Sequence, residues 1–418
     1  MPAGSSPADA KDSAKDGAKR KNFPLRGRTG TAAHHLKAHI TDIGTEFLEK
    51  LTPREAVMFM AEASWGSTTF MPCPHCGSLD EHYFRAKELR WKCTSCGKTF
   101  SVTSGTVLAD RKLPLTKILK MALSWANGAS GKPALQLRRD WQVSYTTVFT
   151  LAHKLREGLL RGFNIGILAG VQEMDGADQL GRRYKEKRNK PRGGDRQKPT
   201  IPEHLRAPTV DPDTGEILGP PKPPKFDKAA KQPEDRRLML VIRQRGLARG
   251  RGAVATRVGI ALTESRTTVT TMATRYASSE SHIMTDEDPS YSRFATLFAE
   301  HRTVNHSQAY SDRKGTNNNQ AESFNWRMKR LVRGIYLNPS VKYLLDYAGE
   351  AAWREDTRRL SVGDRLKHLL KAVMGVGLSR WWRNYSHGHH REEELLLEGA
   401  REAGTRGKEK GWKPKPPR

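Results

Sequence analysis

The sequence predicts an α/β layer protein with a mixed sheet, preceded by a small cysteine-bearing β-ribbon and a helical segment. Three observations lead there. All four cysteines fall between Cys73 and Cys96, among short β-prone pieces. Helical periodicity fills the stretch from Leu113 to about Gly162. Beyond it, strand-like runs come first and helical ones later, which suits helices packed on a sheet.

At 418 residues the chain has room for about three domains of roughly 150 residues each. Its 73 Lys plus Arg against 45 Asp plus Glu leave a net charge of +28, and such an excess implies an anionic polymer as partner, most often nucleic acid. The longest strongly apolar run, Leu238 to Ile242, is too short to cross a bilayer, so no membrane role is expected. Residues 1–30 mix Ala, Lys, Asp and Gly with no apolar block, which reads as a disordered basic tail on a cytoplasmic protein.

Taken in order, Thr41–Ser64 suits two short amphipathic helices, the second opened by Thr52-Pro53-Arg54-Glu55 and ended by Trp65-Gly66. His82–Arg85, Glu88–Trp91 and Thr99–Val102 read as ribbon strands. Lys132–Asp140 and Ser144–Leu155 read as paired helices. Strands follow at Val171–Met174, Leu238–Arg243, Ala253–Ala261 and His282–Thr285, with a helix from near Ser265 before the last of them. Helical patterns then cover roughly Ser290–Glu300, Gln320–Arg333 and Ser340–Asp356. The segment 182–237 carries 10 prolines, 16 Lys plus Arg and 9 Asp plus Glu; it cannot bury enough apolar surface to fold alone and reads as an insertion. The end, Gly404–Arg418, is a basic Pro/Lys tail.

Cys73-Pro-His-Cys76 and Cys93-Thr-Ser-Cys96 are two C-x2-C pairs at the separation of a tetrathiolate zinc site. Gly77 and Gly97 follow the pairs and allow the left-handed backbone of a knuckle. Four sulfurs leave no open position, so one structural Zn²⁺ is expected and His75 is surplus. The pair of helices around Trp141-Gln-Val143 has helix-turn-helix spacing, with Ser144 as N-cap. In that arrangement Tyr145, Thr146, Thr147 and Thr150 would face the major groove, with His153, Lys154 and Arg156 nearer the phosphates and Arg138-Arg139 as a basic flank. An ordinary helical hairpin is the competing reading.

Asp175 and Asp286 each end an apolar strand-like run, and Glu322 heads the helix through Phe324, Trp326 and Met328. Two carboxylates on adjacent strand ends and a third on a helix packed across them can hold two divalent cations about 3.5–4 Å apart for phosphodiester chemistry. Lys329 follows Glu322 by seven residues, about two helical turns, so it can pin a phosphate beside them. Asp178, Asp288 and Asp312 are nearby acids read as loop residues. His387-Gly-His389-His390 reads as a polar loop, and Trp381-Trp382 as core or interface.

The order of zinc ribbon, helix-turn-helix and then Glu173-Met-Asp175-Gly-Ala, Thr285-Asp286-Glu287, Val304-Asn-His-Ser307, Thr316-Asn317 and Gln320-Ala-Glu322-Ser-Phe324 resembles bacterial insertion-sequence transposases of the zinc-ribbon, ISXO-like type. Tyr347–Asp356 is similar to that family's C-terminal helix. The resemblance covers about residues 45–365. It implies a ribonuclease H-like catalytic domain with an Asp, Asp, Glu triad at Asp175, Asp286 and Glu322, using Mg²⁺ or Mn²⁺ and assisted by Lys329. It also implies double-stranded DNA as partner, hydrolysis at transposon ends followed by strand transfer, at least a homodimer to bring two ends together, and a location at the bacterial nucleoid. Departures are Gly176 where some relatives carry a second acid, Gly181 as the remnant of a glycine pair, the long insertion, and Asn317-Asn-Asn319. The expected division is a basic tail at 1–40, a helical lead-in and zinc ribbon at 41–110, a helix-turn-helix at 111–165, a catalytic domain at 166–365 containing the 182–237 insertion, and a C-terminal helical segment and tail at 366–418. The competing function is a non-catalytic DNA-binding regulator, which would account for the charge and the first 160 residues but not for the three carboxylates.

Overall fold

The computed structural model describes residues 37–180, 236–247, 252–304, 315–385, 391 and 393–397. The N-terminal tail, nearly all of the insertion, Asn305–Ser307, Asp312, the 387–390 histidines and the C-terminal tail lie outside the described residues.

Two short helices lead in, α1 (Thr45–Lys50) and α2 (Pro53–Trp65). α2 starts as its sequence requires: Thr52 Oγ1 accepts from the Glu55 N–H, the Glu55 carboxylate accepts from the Thr52 N–H, and Pro53 needs no N–H partner. Gly66, at φ 71°, closes it. The ribbon consists of an antiparallel pair, β1 (Phe70–Pro72) and β2 (Leu79–Glu81), and a three-stranded meander, β3 (Tyr83–Arg85), β4 (Arg90–Lys92) and β5 (Thr99–Phe100). Three helices follow: α3 (Leu115–Ala126), α4 (Ala134–Trp141) and α5 (Tyr145–Gly162).

The main sheet is built from β6 (Val171–Leu180), β7 (Arg236–Arg245), β8 (Ala253–Ala261), β9 (His282–Asp286) and β10 (Glu300–Val304), with α6 (Arg266–Tyr276) after β8 and the short α7 (Phe294–Leu297) after β9. Its spatial order is β10-β9-β6-β7-β8. β6, β7 and β8 form an antiparallel meander, while β9 pairs parallel to β6 on its other side and β10 parallel to β9. Then come α8 (Asn319–Arg330), which runs into a wider turn at Leu331–Ile335, α9 (Leu344–Asp356) and α10 (Val362–Met374). Among the described residues no helix is long and apolar enough to cross a membrane.

The apolar run at β7 buries both faces. Leu238, Leu240 and Ile242 pack with α6 through Val269, Met272 and Ala273, and Met239 and Val241 pack with α8 and α9 through Phe324, Met328, Leu344 and Ala348. One expectation is corrected: β6 does not end at Asp175 but runs ten residues, because Asp175–Leu180 continue the antiparallel ladder with β7 as far as Leu180↔Arg236, which leaves Asp175 inside the strand. The insertion therefore leaves and re-enters at the two adjacent ends of one hairpin. A second expectation is corrected: 290–300 is not a single helix. It breaks into a short turn at Pro289–Tyr291 and α7, and Glu300 begins β10, whose parallel pairing with β9 supplies hydrogen bonds that local periodicity does not register.

A further core crosses the chain order. It joins Leu48, Met60, Trp91, Phe100, Trp125 and Leu155 with Trp353, Leu366, Leu370 and Val373, so α10 packs against the N-terminal helices. Trp382 is buried, as the core reading of the Trp pair expects. α5 and α10 meet where α5 carries Gly158 and Gly162: a Cβ on Gly158 would lie 2.6 Å from the Val373 Cα, and one on Gly162 2.7 Å from the Ala372 carbonyl oxygen. Gly158→Ala should therefore force the helices apart and lower stability by about 1–3 kcal/mol, measured by urea unfolding; an unchanged midpoint would contradict this close packing.

Candidate active site and zinc site

The ribbon brings all four cysteines together. Their sulfurs lie within 4.8 Å of one another, with Cys73–Cys96 at 3.8 Å and Cys76–Cys93 at 3.7 Å. Gly77 and Gly97 have φ of 76° and 69°, the left-handed knuckle conformation. The backbone N–H groups of His75 and Cys96 point at the sulfurs of Cys73 and Cys93, and the N–H of Cys96 holds the Cys93 thiol down to about 6. Such a set of thiolates suits a tetrahedral zinc ion that shapes the ribbon. His75 bonds instead to the Thr99 carbonyl at 3.4 Å, outside the quartet.

A second constellation gathers at one end of the main sheet. The parallel pairing of β6 with β9 ends at Glu173↔Met284, and Asp175 and Asp286 each stand two residues beyond that last pair. α8 crosses this end and brings Glu322 in its first turn, half-buried like both aspartates. Asn325, one turn on from Glu322, donates through Nδ2 to Asp175 Oδ2 at 2.7 Å. Its buried Oδ1 has no hydrogen-bond partner among the described residues. Burial pushes Asp175 up to about 7, with Asp286, Glu264 and Glu322 adding repulsion against the pull of the Asn325 hydrogen bond.

The helix is held to the strand by Glu173. Its Oε2 accepts from the N–H groups of Gln320 and Ala321 at 2.6 and 3.2 Å, taking the place of a side-chain cap at the helix N-terminus, and its Oε1 accepts from Arg245 Nε at 2.6 Å. A bulge between Gln244 and Arg245 adjusts that end of β7. Arg245 also binds the carbonyls of Gly315 and Asn317 at 3.0 and 2.8 Å, ordering the asparagine-rich approach to α8. Lys329 lies half-buried two turns along from Glu322.

Glu264, Asn325 and the capping role of Glu173 escape a reading by strand ends. Glu264 sits in the loop between β8 and α6, and only the tertiary structure brings it to Asp175; the i+3 spacing of Asn325 from Glu322 is the one local signal available. Of the competing acids, Asp178 pairs with Arg236, and Asp288 caps the turn at Ser290. The oxygen-rich donor set fits Mg²⁺ or Mn²⁺, hard cations that prefer carboxylates and amide carbonyls, and the buried Asn325 Oδ1 is a free acceptor at its edge. Among the described residues only the cysteine quartet is drawn within 4.8 Å; the carboxylates stand wider, as mutually repelling charges do.

The helical pair at α4 and α5 has the expected three-residue turn, with Gln142 at φ 48° in the position where glycine is common. Ser144 caps α5 by accepting from the Thr147 N–H at 3.1 Å. Arg138, Arg139, Ser144, Tyr145 and Thr146 are exposed, Thr147 is half-exposed, and Lys154 reaches the Ala109 carbonyl beside an open groove that Thr146, Thr147 and Thr150 also line. Two expectations fail here. His153 and Arg156 are buried and do not face DNA, because α5 continues to Gly162 and its C-terminal half is a core helix. Arg156 Nε donates to Glu350 Oε2 at 2.7 Å, and Trp382 stacks on His153 at 4.4 Å.

A family model for the ISXO2-like transposase domain matches residues 215–356, and one for the transposase zinc-ribbon domain matches residues 51–99. The two matches support an ISXO2-like DDE transposase. The first match contains Glu264, Asp286, Glu322 and Lys329, and the second contains all four cysteines; Asp175 precedes the catalytic-domain match. No curated protein and no solved structure matches the chain. The two matched domains are of transposase type, and the match at 51–99 accords with a structural zinc held by the cysteine quartet.

Two outcomes are expected of this transposase. Cys93→Ser should drop zinc below one per chain and unfold residues 65–110, read by metal analysis and circular dichroism, because structural zinc supplies folding free energy. The second concerns pH. With Asp175 raised from its ordinary 3.8 to about 7, the folded chain holds a proton between those values that the unfolded chain has released. Stability in magnesium-free buffer should therefore fall as pH rises through about 7. Asp175→Asn should remove that fall and exceed wild type by on the order of 1–2 kcal/mol at alkaline pH, measured by denaturant unfolding with zinc retained.

Proposed function

We propose that the chain is an Asp-Asp-Glu DNA transposase that binds the terminal inverted repeats of an insertion sequence, hydrolyses the phosphodiester at each end and transfers the new strand end into target DNA. The observation that carries this reading is that Asp286 and Glu322 both act electrostatically on Asp175, from β9 and from the first turn of α8. A ribonuclease H-like fold is supported by three antiparallel strands flanked by two parallel ones, with the first aspartate on the central strand.

In this reading Asp175 and Asp286 bind and orient the reacting centre from the sheet, and Glu322 closes it from α8. Asn325 keeps the Asp175 carboxylate turned inward, and Lys329 binds a phosphate beside the scissile one. Bound Mg²⁺ or Mn²⁺ would supply activation of the attacking hydroxyl and stabilisation of the departing oxygen, so no covalent protein nucleophile is needed. The zinc ribbon and the exposed N-terminal turns of α4 and α5, with Arg138, Arg139, Ser144, Tyr145, Thr146, Thr147 and Lys154, would engage the duplex as a helix-turn-helix. A homodimer would bring two ends together, and the site of action would be the cytoplasmic nucleoid. A non-catalytic regulator would have no use for a convergent carboxylate cluster on a chain of net charge +28.

The test incubates purified protein with transposon-end DNA and Mg²⁺. Wild type should nick the end, whereas Asp175→Asn, Asp286→Asn and Glu322→Gln should each lose cleavage by several orders of magnitude and still shift the DNA, since binding surfaces and cation site are separate. A wild-type protein that shifts the DNA and never cuts it would favour the regulator.

A further inference from the structure

The loop between β8 and α6 carries Glu264 to the catalytic end of the sheet, opposite the backbone of β6. A Cβ placed on Gly176 would lie 2.4 Å from Glu264 Oε1 and 2.7 Å from its Cδ, so the carboxylate rests directly on the residue that follows Asp175, and a side chain there would make the Glu264 head move. Tyr291, buried in the turn beyond Asp286, donates its hydroxyl to Glu264 Oε1 at 2.7 Å. The head is thus fixed from two sides, by the strand of the first aspartate and by the turn after the second. Asp175, Asp286 and Glu264 are mutually within electrostatic reach. Neither Asp175 nor Glu264 forms an ion pair among the described residues, although the chain holds 73 Lys plus Arg. An independent sign that this space takes a ligand is Asn325: only 4% exposed, with its amide head on Asp175, it leaves Oδ1 without a partner among the described residues.

We propose that Glu264 is a fourth carboxylate of the cation site, sharing a divalent cation with Asp175 and Asp286, and that Gly176 is there to admit it. The inference rests on the transposase reading above and extends it by a ligand that lies outside the Asp-Asp-Glu set. A carboxylate that only anchored its loop through Tyr291 would not need to lie against β6 at the residue after Asp175. Its charge would also be better placed beside one of the many arginines than beside two aspartates.

The test is Mn²⁺ binding, read by electron paramagnetic resonance of the free ion, on full-length zinc-loaded protein without DNA. Glu264→Gln should weaken Mn²⁺ binding about tenfold or more and raise the Mn²⁺ concentration needed for half-maximal cleavage in parallel. Gly176→Ala keeps every carboxylate but drives a Cβ into the Glu264 head, and should weaken binding likewise; it serves as well if Glu264→Gln fails to fold, with zinc content as the check on folding. Asp175→Asn separates the two levels of the argument. If Asp175→Asn loses Mn²⁺ while both Glu264→Gln and Gly176→Ala bind it as wild type does, the role of Glu264 is refuted and the triad stands. If all three variants bind Mn²⁺ as wild type does, the cation site itself is refuted and Glu264 with it.

Discussion

The candidate site depends on one buried carboxylate that does no chemistry. Glu173 stands two residues before Asp175 on the central strand and accepts from the first N–H groups of α8 with one oxygen and from Arg245 with the other. A helix N-terminus is a partial positive charge with open donors, and a buried carboxylate there is both capped and neutralised. The consequence is geometric: the helix start is tied to the strand that carries Asp175, so Asp175 and Glu322, distant in sequence, share one frame. Arg245 extends the frame to the carbonyls of Gly315 and Asn317, and Arg243, buried beneath the helix, binds the Gln320 carbonyl at 2.9 Å.

A second buried network joins α3 and α5 to the helices that cover the main sheet. Glu350 of α9 takes Arg156 from α5 on one oxygen, and Arg354 and the Tyr336 hydroxyl on the other. Arg354 then binds the carbonyls of Trp125, Ala126 and Gly128 at the end of α3. Two arginines on one carboxylate hold Glu350 well below the usual carboxylate range despite its burial. Breaking a buried network of this kind costs far more than a surface pair, so α5 is docked on α9 as a unit. The exposed start of α5 and the carboxylate cluster are therefore held in a set relation, which suits an enzyme that must cut at a defined distance from what it reads.

The place of the insertion also has a physical logic. β6 and β7 pair as far as Leu180↔Arg236, so a segment between them can be long without disturbing the sheet, since the ladder closes before it begins. The far edge of the meander is covered in turn, with the Leu397 N–H donating to the Ile260 carbonyl at 2.9 Å and its side chain packed in the core beneath α6. An open edge would invite pairing with another chain.

Much of this protein is legible in the sequence because the signals are local. The cysteine pairs with their glycines, the cap of α2, the Ser144 cap of α5, the apolar run of β7 and Asp286 at the end of β9 each follow from neighbours a few residues apart. What the sequence could not show is carried by partners far along the chain. β10 exists through its pairing with β9, which no periodicity in Ser290–Glu300 reveals. His153 and Arg156 look like DNA contacts on a short helix and become core groups because α9 and Trp382 cover them. Glu264, Asn325 and the capping of α8 by Glu173 belong to the site only through space. Sequence by itself determined the elements whose signals are local and which residue types could do chemistry, since those follow from backbone preference and side-chain identity. The tertiary structure alone decided which charges meet, because electrostatic and hydrogen-bond partners are chosen by proximity in space, and proximity here is set by sheet register and helix docking.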